Sequence, residues 1–276
     1  MNEKDIINKI KLPATNVYYE KDSADGYAYL GYSQAILNLD YNICYNKMMN
    51  SNLTLNADRR IPATNVKVYK DTLYVYTFWS CIEFLQVVNK KKEINNIMEH
   101  VDNIGQYESN GMMRYCTTEI NYVVPNVTAI GALLYAFVGD FNKSNELIET
   151  LEKRQVDGNW KYGIIEGKKE TILKREEDSI HLSMIVYSLR MVQLISKIDT
   201  SGMVDKALRK LYQKNKNTIQ GGSIGWGIPM LYLATKGLDE SLADRSLDEL
   251  LKRGINSSNF RTRGLSAFCL TNKKLH

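Results

Sequence analysis

The chain has 276 residues, of which 44% are hydrophobic and 24% are charged, and its formal net charge at pH 7 is +5. These values are ordinary for a folded globular protein, so they exclude wholesale disorder and a collagen-like repeat. The mild positive charge lacks an arginine or lysine run interleaved with aromatic residues, so we expect no nucleic-acid partner. An anionic small molecule or polysaccharide fits this charge.

Two kinds of helical segment alternate along the chain. The first kind is apolar on most faces, and such a helix must be surrounded by protein. Segments of this kind begin, in chain order, near Tyr27, Tyr74, Pro125, Asp178, Ser223 and Arg261. They predict six buried helices.

Charged segments lie between these apolar ones and predict outer helices at 92–104, 143–154, 203–214 and 239–253. In the second of them, leucine and isoleucine side chains recur with helical spacing and form one apolar stripe, and Ser144 is expected to cap its start. Segment 65–78 has β-like character and predicts either a hairpin or an irregular start of a helix. The loops after the outer helices are rich in glycine and aromatic residues, and binding residues often collect in such loops.

Six helical hairpins of this kind form either an open solenoid or a closed ring. Inner helices that are apolar on all faces favour the ring, because an open solenoid exposes its two ends. Because the first and last hairpins are short, the sequence does not decide whether the ring closes completely. We expect a single all-α domain that spans residues 1–276.

The stretch from Pro125 to Gly163 resembles the repeat of α/α-toroid proteins. In that repeat an apolar helix leads through a Gly-Asp pair to an amphipathic helix with a characteristic ending. Four residues match the ending of the terpenoid cyclase repeat, namely Gln155, Asp157, Gly158 and Trp160. The resemblance implies an α/α toroid of about six helical hairpins. Terpenoid cyclases, protein prenyltransferases and bacterial polysaccharide hydrolases, lyases and uronyl epimerases share this architecture, so the fold alone does not choose among them.

The isoprenoid branch of these toroids has the weaker support in the sequence. The Asp-x-Asp-Asp acid of the protonating cyclases is missing from the 276 residues. The prenyltransferases bind zinc through Asp, Cys and His, and here Asp178, Cys116 and His181 lack a convincing spacing. We therefore predict no metal and no cofactor.

Cysteine usage and the N-terminal sequence point to the cytoplasm. The four cysteines are far apart and include no C-x-x-C pair, which is typical of a reducing compartment. The first residues carry acids and lysines where a signal peptide needs an apolar core. The uncharged run 120–139 is long enough to span a bilayer. Its first half contains Asn121, Pro125 and Asn126, so a buried helix is the better interpretation and no membrane span is expected.

Asp178 and His181 are the first candidates for catalysis. Their spacing places them on one helix face at the start of a buried helix, where a carboxylate and an imidazole can form an acid–base pair. Glu119 and Tyr122 are the second pair, and they suit proton transfer at a sugar carbon or a glycosidic oxygen. The structural alternatives are that Asp178 caps its helix, His181 is a core residue, and Glu119 and Tyr122 pack a loop.

The candidate substrate-binding residues lie at the starts of buried helices or, as for Trp160 and Tyr162, in the loops that follow outer helices. They are Asp25, Tyr27, Asn126, Trp160, Tyr162, Trp226, Arg261 and Arg263. In a ring these helix starts open on one face, whose partial positive charge favours an anionic group. Tryptophans can stack on sugar rings, and arginines can bind a uronate or a phosphate through two hydrogen bonds. Alternatively, Trp160 packs its loop onto the neighbouring hairpin and the arginines pair with surface acids.

Three functions remain open at this point. The favoured one is an enzyme that acts on a carbohydrate polymer as a hydrolase, a lyase or a uronyl epimerase. Carboxylate, tyrosine and histidine side chains near the helix starts support it. The second is a non-catalytic module that binds a glycan or a protein. The third is an isoprenoid cyclase or transferase.

Overall fold

The structure is a computed structural model that describes residues 24–51, 75–117, 121–217 and 224–272, together with positions 8, 53, 59–60, 67–68, 73 and 219. Its helices are α1 Ala24–Ile36, α2 Asn42–Met49, α3 Val75–Val87, α4 Lys91–Ile104, α5 Pro125–Phe137, α6 Phe141–Arg154, α7 Ser179–Ser196, α8 Ser201–Asn215, α9 Gly227–Thr235, α10 Glu240–Glu249 and α11 Phe260–Thr271. A π-helical segment, Leu250–Gly254, extends α10.

The odd-numbered helices form a ring. Each packs against the next, and α11 packs against α1, so the ring is closed. Every even-numbered helix packs against the inner helix that precedes it. The described elements thus comprise five complete hairpins and a sixth inner helix, which confirms the predicted all-α α/α toroid.

The inner helices are buried on most faces, as their apolar sequences predict. Leu133 and Leu134 on α5 and Met184 and Ile185 on α7 are at most 4% exposed. Helices α5 and α7 are direct neighbours, as expected. The uncharged run at 120–139 contains α5, a buried helix. Among the residues that the structure describes, no helix has the length and apolar character needed to cross a membrane.

The outer helix α6 buries the predicted stripe of leucine and isoleucine side chains. Its cap, however, is not the predicted one. Asp140 accepts a hydrogen bond from the backbone N–H of Lys143 at 3.1 Å. The hydroxyl of Ser144 instead donates to the carbonyl of Ala132 at 2.9 Å and so ties α6 to α5. The prediction was wrong because the cap lies one turn earlier, on a residue that ends the tight Gly-Asp connection.

In the described part of the chain, two small antiparallel sheets accompany the helices. The first pairs β1 Arg59–Arg60 with β2 Lys67–Val68, which agrees with the β-like character of segment 65–78. The second has the strand order β3-β4-β5, with β3 Tyr122–Val123, β4 Lys161–Glu166 and β5 Lys169–Glu176. The β4–β5 hairpin was not predicted. It lies between α6 and α7 in the chain and delivers the polypeptide to the start of α7.

Contacts across the ring show that the inner helices run in the same direction. In their C-terminal halves, the Gln86 side chain of α3 donates to the Phe137 carbonyl of α5 at 2.8 Å, and Arg190 of α7 donates to the Ala234 carbonyl of α9 at 3.0 Å. Their N-terminal residues meet at the other end of the ring. This end carries the site described next.

Candidate functional site

Asp178 and His181 form a pair at the start of α7. A carboxylate oxygen of Asp178 accepts the backbone N–H of His181 at 2.9 Å, so Asp178 caps the helix. The same oxygen lies 3.0 Å from the Nδ1 atom of His181. The side chains are 46% and 25% exposed, so both can be reached from outside. Asp178 therefore caps α7 and also makes the contact with His181 that an acid–base pair requires.

Glu177, the residue before this pair, is completely buried. The Tyr162 hydroxyl donates a hydrogen bond to one of its carboxyl oxygens, and the backbone N–H of Asn126 donates to the other at 3.3 Å. A Glu177 oxygen also lies 3.7 Å from Nδ1 of His181. Two consecutive carboxyl groups therefore approach the same imidazole nitrogen, one from the protein interior and one from the exposed side.

The two carboxyl groups have opposite pKa shifts. Burial raises the pKa of Glu177 to about 7, although His181 and the Tyr162 hydroxyl oppose the rise. Partial burial also acts to raise the pKa of Asp178, but the hydrogen bond and charge of His181 outweigh it and lower this pKa to about 2. Burial acts to lower the pKa of His181, but the two carboxylates outweigh it, so the net shift is upward. Asp178 is thus ionised near neutral pH, and the two carboxylates favour the charged form of His181.

Aromatic side chains pack over Glu177. The rings of Tyr122 and Tyr162 are stacked with their centroids 5.5 Å apart, and the Arg175 guanidinium lies 4.8 Å from the centre of the Tyr162 ring. The Tyr162 hydroxyl is also 3.2 Å from Nδ1 of His181. Strands β3 and β4 supply the two tyrosines, and β5 supplies the arginine. The hairpin therefore forms one wall of the site.

Asn126 connects Glu177 to a second aromatic group. Its backbone binds Glu177, and its side-chain amide donates to the Tyr76 hydroxyl. The Tyr76 ring lies 6.0 Å from the Trp226 ring. One continuous chain of contacts thus joins the starts of α3, α5, α7 and α9.

The Trp226 end of this chain is built around an ion pair. The Arg261 guanidinium lies over the Trp226 ring at 4.2 Å and binds the carboxylate of Asp25. Tyr27 packs on Phe260 at 5.1 Å. Asp25 and Arg261 therefore meet as expected at the junction of the first and last inner helices. The guanidinium covers one face of Trp226, so that face is closed to a sugar ring.

The remaining predicted residues lie away from this site or outside the residues that the structure describes. Trp160 is fully buried and donates from its indole nitrogen to the Leu151 carbonyl at 2.7 Å, so it packs its loop onto α6. Arg263 is half-buried in the first turn of α11, and no side-chain contact joins it to the site among the described residues. Glu119 lies outside the described residues. We therefore leave Trp160 and Arg263 out of the proposed ligand contacts.

The sequence placed Glu177 at the start of the buried helix but gave it no role, and it did not single out Tyr76 or Arg175. Tyr76 opens a buried helix much as Tyr27 does, so the same rule could have found it. The importance of Glu177 and Arg175 depends on Tyr162, and hence on a hairpin that the sequence did not predict.

Comparison with known proteins gives structural matches only. No protein-family model matches the chain, and no curated protein does. A family 76 glycoside hydrolase from a bovine Bacteroides thetaiotaomicron strain matches with a TM-score of 0.64 and 10% identity, over 91% of this chain and 67% of that one. The GH76A α-1,6-mannanase of Salegentibacter sp. HEL1_6 matches with a TM-score of 0.60 and 10% identity, over 97% and 96%. A β-1,3-1,4-glucanase from Paenibacillus sp. X4 matches with a TM-score of 0.55 and 10% identity, over 98% and 93%. At this identity the matches establish the shared toroid fold.

Proposed function

We propose that the chain is a glycoside hydrolase that cleaves a polysaccharide or oligosaccharide, with Asp178 and His181 in contact with the substrate. One observation carries the proposal: two consecutive carboxyl groups with opposite pKa shifts contact one imidazole at the N-terminal end of the helical ring. Pairs of titratable groups whose surroundings push their pKa values apart are typical of acid–base catalysis.

The structural neighbours support this proposal at the level of fold. They include an inactive variant of the Salegentibacter α-1,6-mannanase, with two neighbouring aspartates replaced by asparagine, bound to α-1,6-mannotriose. The present chain also has two consecutive carboxyl groups at its site, Glu177 and Asp178. Because fold alone does not fix function, the assignment depends on the chemistry of these residues.

Hydrolysis needs one proton to leave the attacking water and one proton to reach the leaving oxygen. Water adds its oxygen to the anomeric carbon while the bond from that carbon to the glycosidic oxygen breaks. Asp178 and His181 lie 3.0 Å apart, closer than the roughly 5–9.5 Å that separates an acid and a base on opposite sides of a glycosidic bond, so they act as one proton-transfer unit on one side of it. His181 gives its proton to the leaving oxygen, and Asp178, ionised above pH about 2, favours the protonated imidazole that supplies it. The proton of the attacking water passes to solvent, from which His181 is protonated again. Buried Glu177 acts as a positioning residue, because its charge favours the protonated imidazole.

The centre of the ring argues against an isoprenoid enzyme. Such a reaction needs an apolar cavity with few charges below the rim. Here Glu83 lies fully buried inside the ring and accepts hydrogen bonds from Tyr187 at 2.8 Å and Trp79 at 3.3 Å. A carboxylate at this depth favours a polar ligand or a purely structural network.

Two further expectations remain part of the proposal. The four thiols are all buried and form no disulfide, which supports a reducing compartment such as the cytoplasm. The closed ring supports one domain over the whole chain.

The test is turnover by Asp178→Asn and His181→Ala variants. We expect both to lose about 10²-fold or more of the activity of the unmodified chain, because each removes a proton-transfer group. Release of reducing ends from α-1,6-mannan, mixed-linkage β-glucan and the acidic polymer polygalacturonate measures the activity. Asn also caps helices well, so Asp178→Asn should keep the start of α7 folded, while it loses the stabilising interaction of the ionised carboxylate with His181.

Asp140→Asn is the matched control, since Asp140 caps the outer helix α6 in the same way. It should retain full activity. Unchanged turnover in both Asp178→Asn and His181→Ala would contradict the proposed catalytic roles of these residues. Sugar binding by the unmodified chain without any turnover would favour the non-catalytic binding module.

A further inference from the structure

Arg175 is a cation of the site that the proposed mechanism does not use. It is half-buried near the end of β5, with its guanidinium against the ring of Tyr162. Its positive charge opposes the rise in the pKa of His181 and of Tyr122, which shows that it acts on both groups. Arg175 therefore belongs electrostatically to the surroundings of the Asp178–His181 pair.

The carboxylates beside Arg175 in the sequence have other partners. Asp178 binds His181, and Glu177 binds Tyr162. Glu176 lies 3.7 Å from the Lys210 ammonium and accepts a hydrogen bond from the Asn159 amide at 3.1 Å. Among the residues that the structure describes, Arg175 forms no ion pair.

Two other partly buried arginines, Arg154 and Arg261, differ in this respect. Arg154 binds Glu170, and Arg261 binds Asp25. Both pairs neutralise their guanidinium groups within the fold. Arg175 thus keeps its hydrogen-bond donors for a group that comes from outside.

The hydroxyl of Tyr122 is a second, independent observation. Tyr122 is only 3% exposed, and its hydroxyl is buried without a hydrogen-bond partner in the described part of the chain. Tyr122 and Arg175 both lie against Tyr162. A buried donor without an acceptor is costly, and an anionic oxygen would satisfy it.

We propose that Arg175 and the Tyr122 hydroxyl bind an anionic group on the sugar, a carboxylate or a phosphate ester, so that the substrate is an acidic glycan. The planar guanidinium offers two parallel N–H donors that fit either group. The net charge of +5 favours the approach of such a polymer. This inference rests on the proposed function and names its substrate class.

The proposal also relocates the anion site. The sequence pointed to Arg261 and Arg263 for this role. Arg261 is already bound to Asp25 and stacked on Trp226, and Arg263 lies apart from the site. Arg175, which lies on the unpredicted hairpin, takes this role in the proposal.

The test compares binding of three trisaccharides by isothermal titration calorimetry: trigalacturonate, mannotriose with a terminal 6-phosphate, and neutral mannotriose. The Asp178→Asn background keeps the ligands intact during the titration. Arg175→Gln is the test variant. Lys174→Gln is the matched control, because it removes the same charge from the neighbouring, exposed position of β5.

We expect at least one acidic trisaccharide to bind about tenfold or more tightly than mannotriose. Arg175→Gln should weaken that binding about tenfold to hundredfold and change mannotriose binding less than about twofold, since a charge-assisted pair is lost. Lys174→Gln should change neither. A response limited to trigalacturonate or to the phosphorylated sugar identifies which anion the site takes. Tyr122→Phe should weaken only the same acidic ligand.

Equal losses in Arg175→Gln and Lys174→Gln would overturn the inference, because they would show diffuse charge attraction. Equal losses for acidic and neutral sugars would also overturn it, since Arg175 would then only support Tyr162. Turnover of neutral mannan without any preference for acidic sugars would support the proposed hydrolase and contradict the acidic substrate. Binding of an acidic sugar through Arg175 without turnover of any polymer would support the anion site and contradict the hydrolase.

Discussion

At the scale of single residues, the contrast between Glu177 and Asp178 shows how one backbone step changes the chemistry of a carboxyl group. Glu177 points into the protein and has a pKa of about 7 because burial disfavours its charge. Asp178 is half-exposed and has a pKa of about 2 because His181 binds it. The groups that face Glu177 are His181, Tyr162 and the backbone of Asn126.

Replacement of Glu177 by Gln should change how stability depends on pH. The folded pKa of about 7 lies above the ordinary value of 4.5, so the folded state keeps a proton that the unfolded chain releases between these values. The group therefore lowers the free energy of unfolding as pH rises through this window. We expect Glu177→Gln to gain stability relative to the unmodified chain between pH 5 and pH 8, by at most about 3 kcal/mol. Urea unfolding at both pH values measures it.

Glu152→Gln, at an exposed position of α6, is the control and should leave the pH dependence unchanged. Parallel stability curves for Glu177→Gln and the unmodified chain would contradict the burial argument.

Asp178 and His181 could be predicted from the sequence because their contact depends only on helical spacing. The role of Glu177 could not, because it depends on a tyrosine 15 residues earlier that the β4–β5 hairpin brings into place. Arg175 was missed for the same reason. Contacts within one helix could therefore be predicted from the sequence, and contacts that depend on the pairing of strands could not.

At the scale of elements, the turn between α6 and β4 requires glycine at position 158 for two reasons, a positive φ angle and a close contact with α8. Asp157 and Gly158 have φ angles of 49° and 76° between Val156 and Asn159, whose backbones pair at 2.8 Å. Consecutive positive φ values are typical of a type I′ turn, for which Asp-Gly is a favoured pair. A Cβ atom on Gly158 would also lie 2.2 Å from the Lys206 carbonyl oxygen of α8.

Gly158→Ala should therefore destabilise the protein more than Gly139→Ala. Gly139 has a φ of 81°, but a Cβ there meets nothing within 4 Å. We expect a loss of about 1–2 kcal/mol for Gly139→Ala, from backbone strain alone. Gly158→Ala should lose about 3 kcal/mol or more, because a backbone carbonyl must move as well. Denaturant unfolding compares the two. Equal losses would show that the Lys206 contact yields easily.

The helices were largely predictable, and the second sheet was not. Pro125 starts α5 as expected, and Asp178 caps α7, because periodicity and capping are local signals. The strands of the hairpin carry many charged residues, with lysines and glutamates at both inward and outward positions, so they lack clear alternation. Their pairing with β3 depends on residues about 40 positions away, which no local pattern reveals.

At the scale of the whole molecule, the junction of α1 with α11 closes the ring. A Cβ atom on Gly264 would lie 3.0 Å from the Gly26 carbonyl, so the two helices approach closely. The ion pair between Arg261 and Asp25 joins them across 236 residues of sequence, with side chains only 13% and 15% exposed. The sequence favoured a ring, but its closure depends on these long-range contacts.

Breaking this ion pair should cost much more than breaking an exposed one. We expect Arg261→Gln and Asp25→Asn each to lose about 3–5 kcal/mol of stability, because each leaves its partner charge largely buried. The double variant should lose less than the sum of the single losses. Thermal or urea unfolding of the three variants measures the coupling free energy between Arg261 and Asp25.

The control is Asp248→Asn, which breaks the Lys252–Asp248 pair at 4.0 Å, whose side chains are 68% and 70% exposed. It should change stability by less than about 0.5 kcal/mol. A similar small effect for Arg261→Gln would mean that packing alone closes the ring.

The position of this junction also matters during protein synthesis. The ribosome makes α11 more than 200 residues after α1, yet α11 covers the aromatic face of α1, since Tyr27 packs on Phe260 and Tyr32 packs on Phe268. A nascent chain that has not reached Phe260 leaves these tyrosines without their partners. Transiently exposed apolar surface of this kind makes a chain prone to aggregation, so the N-terminal part of the ring is expected to need protection until α11 is made.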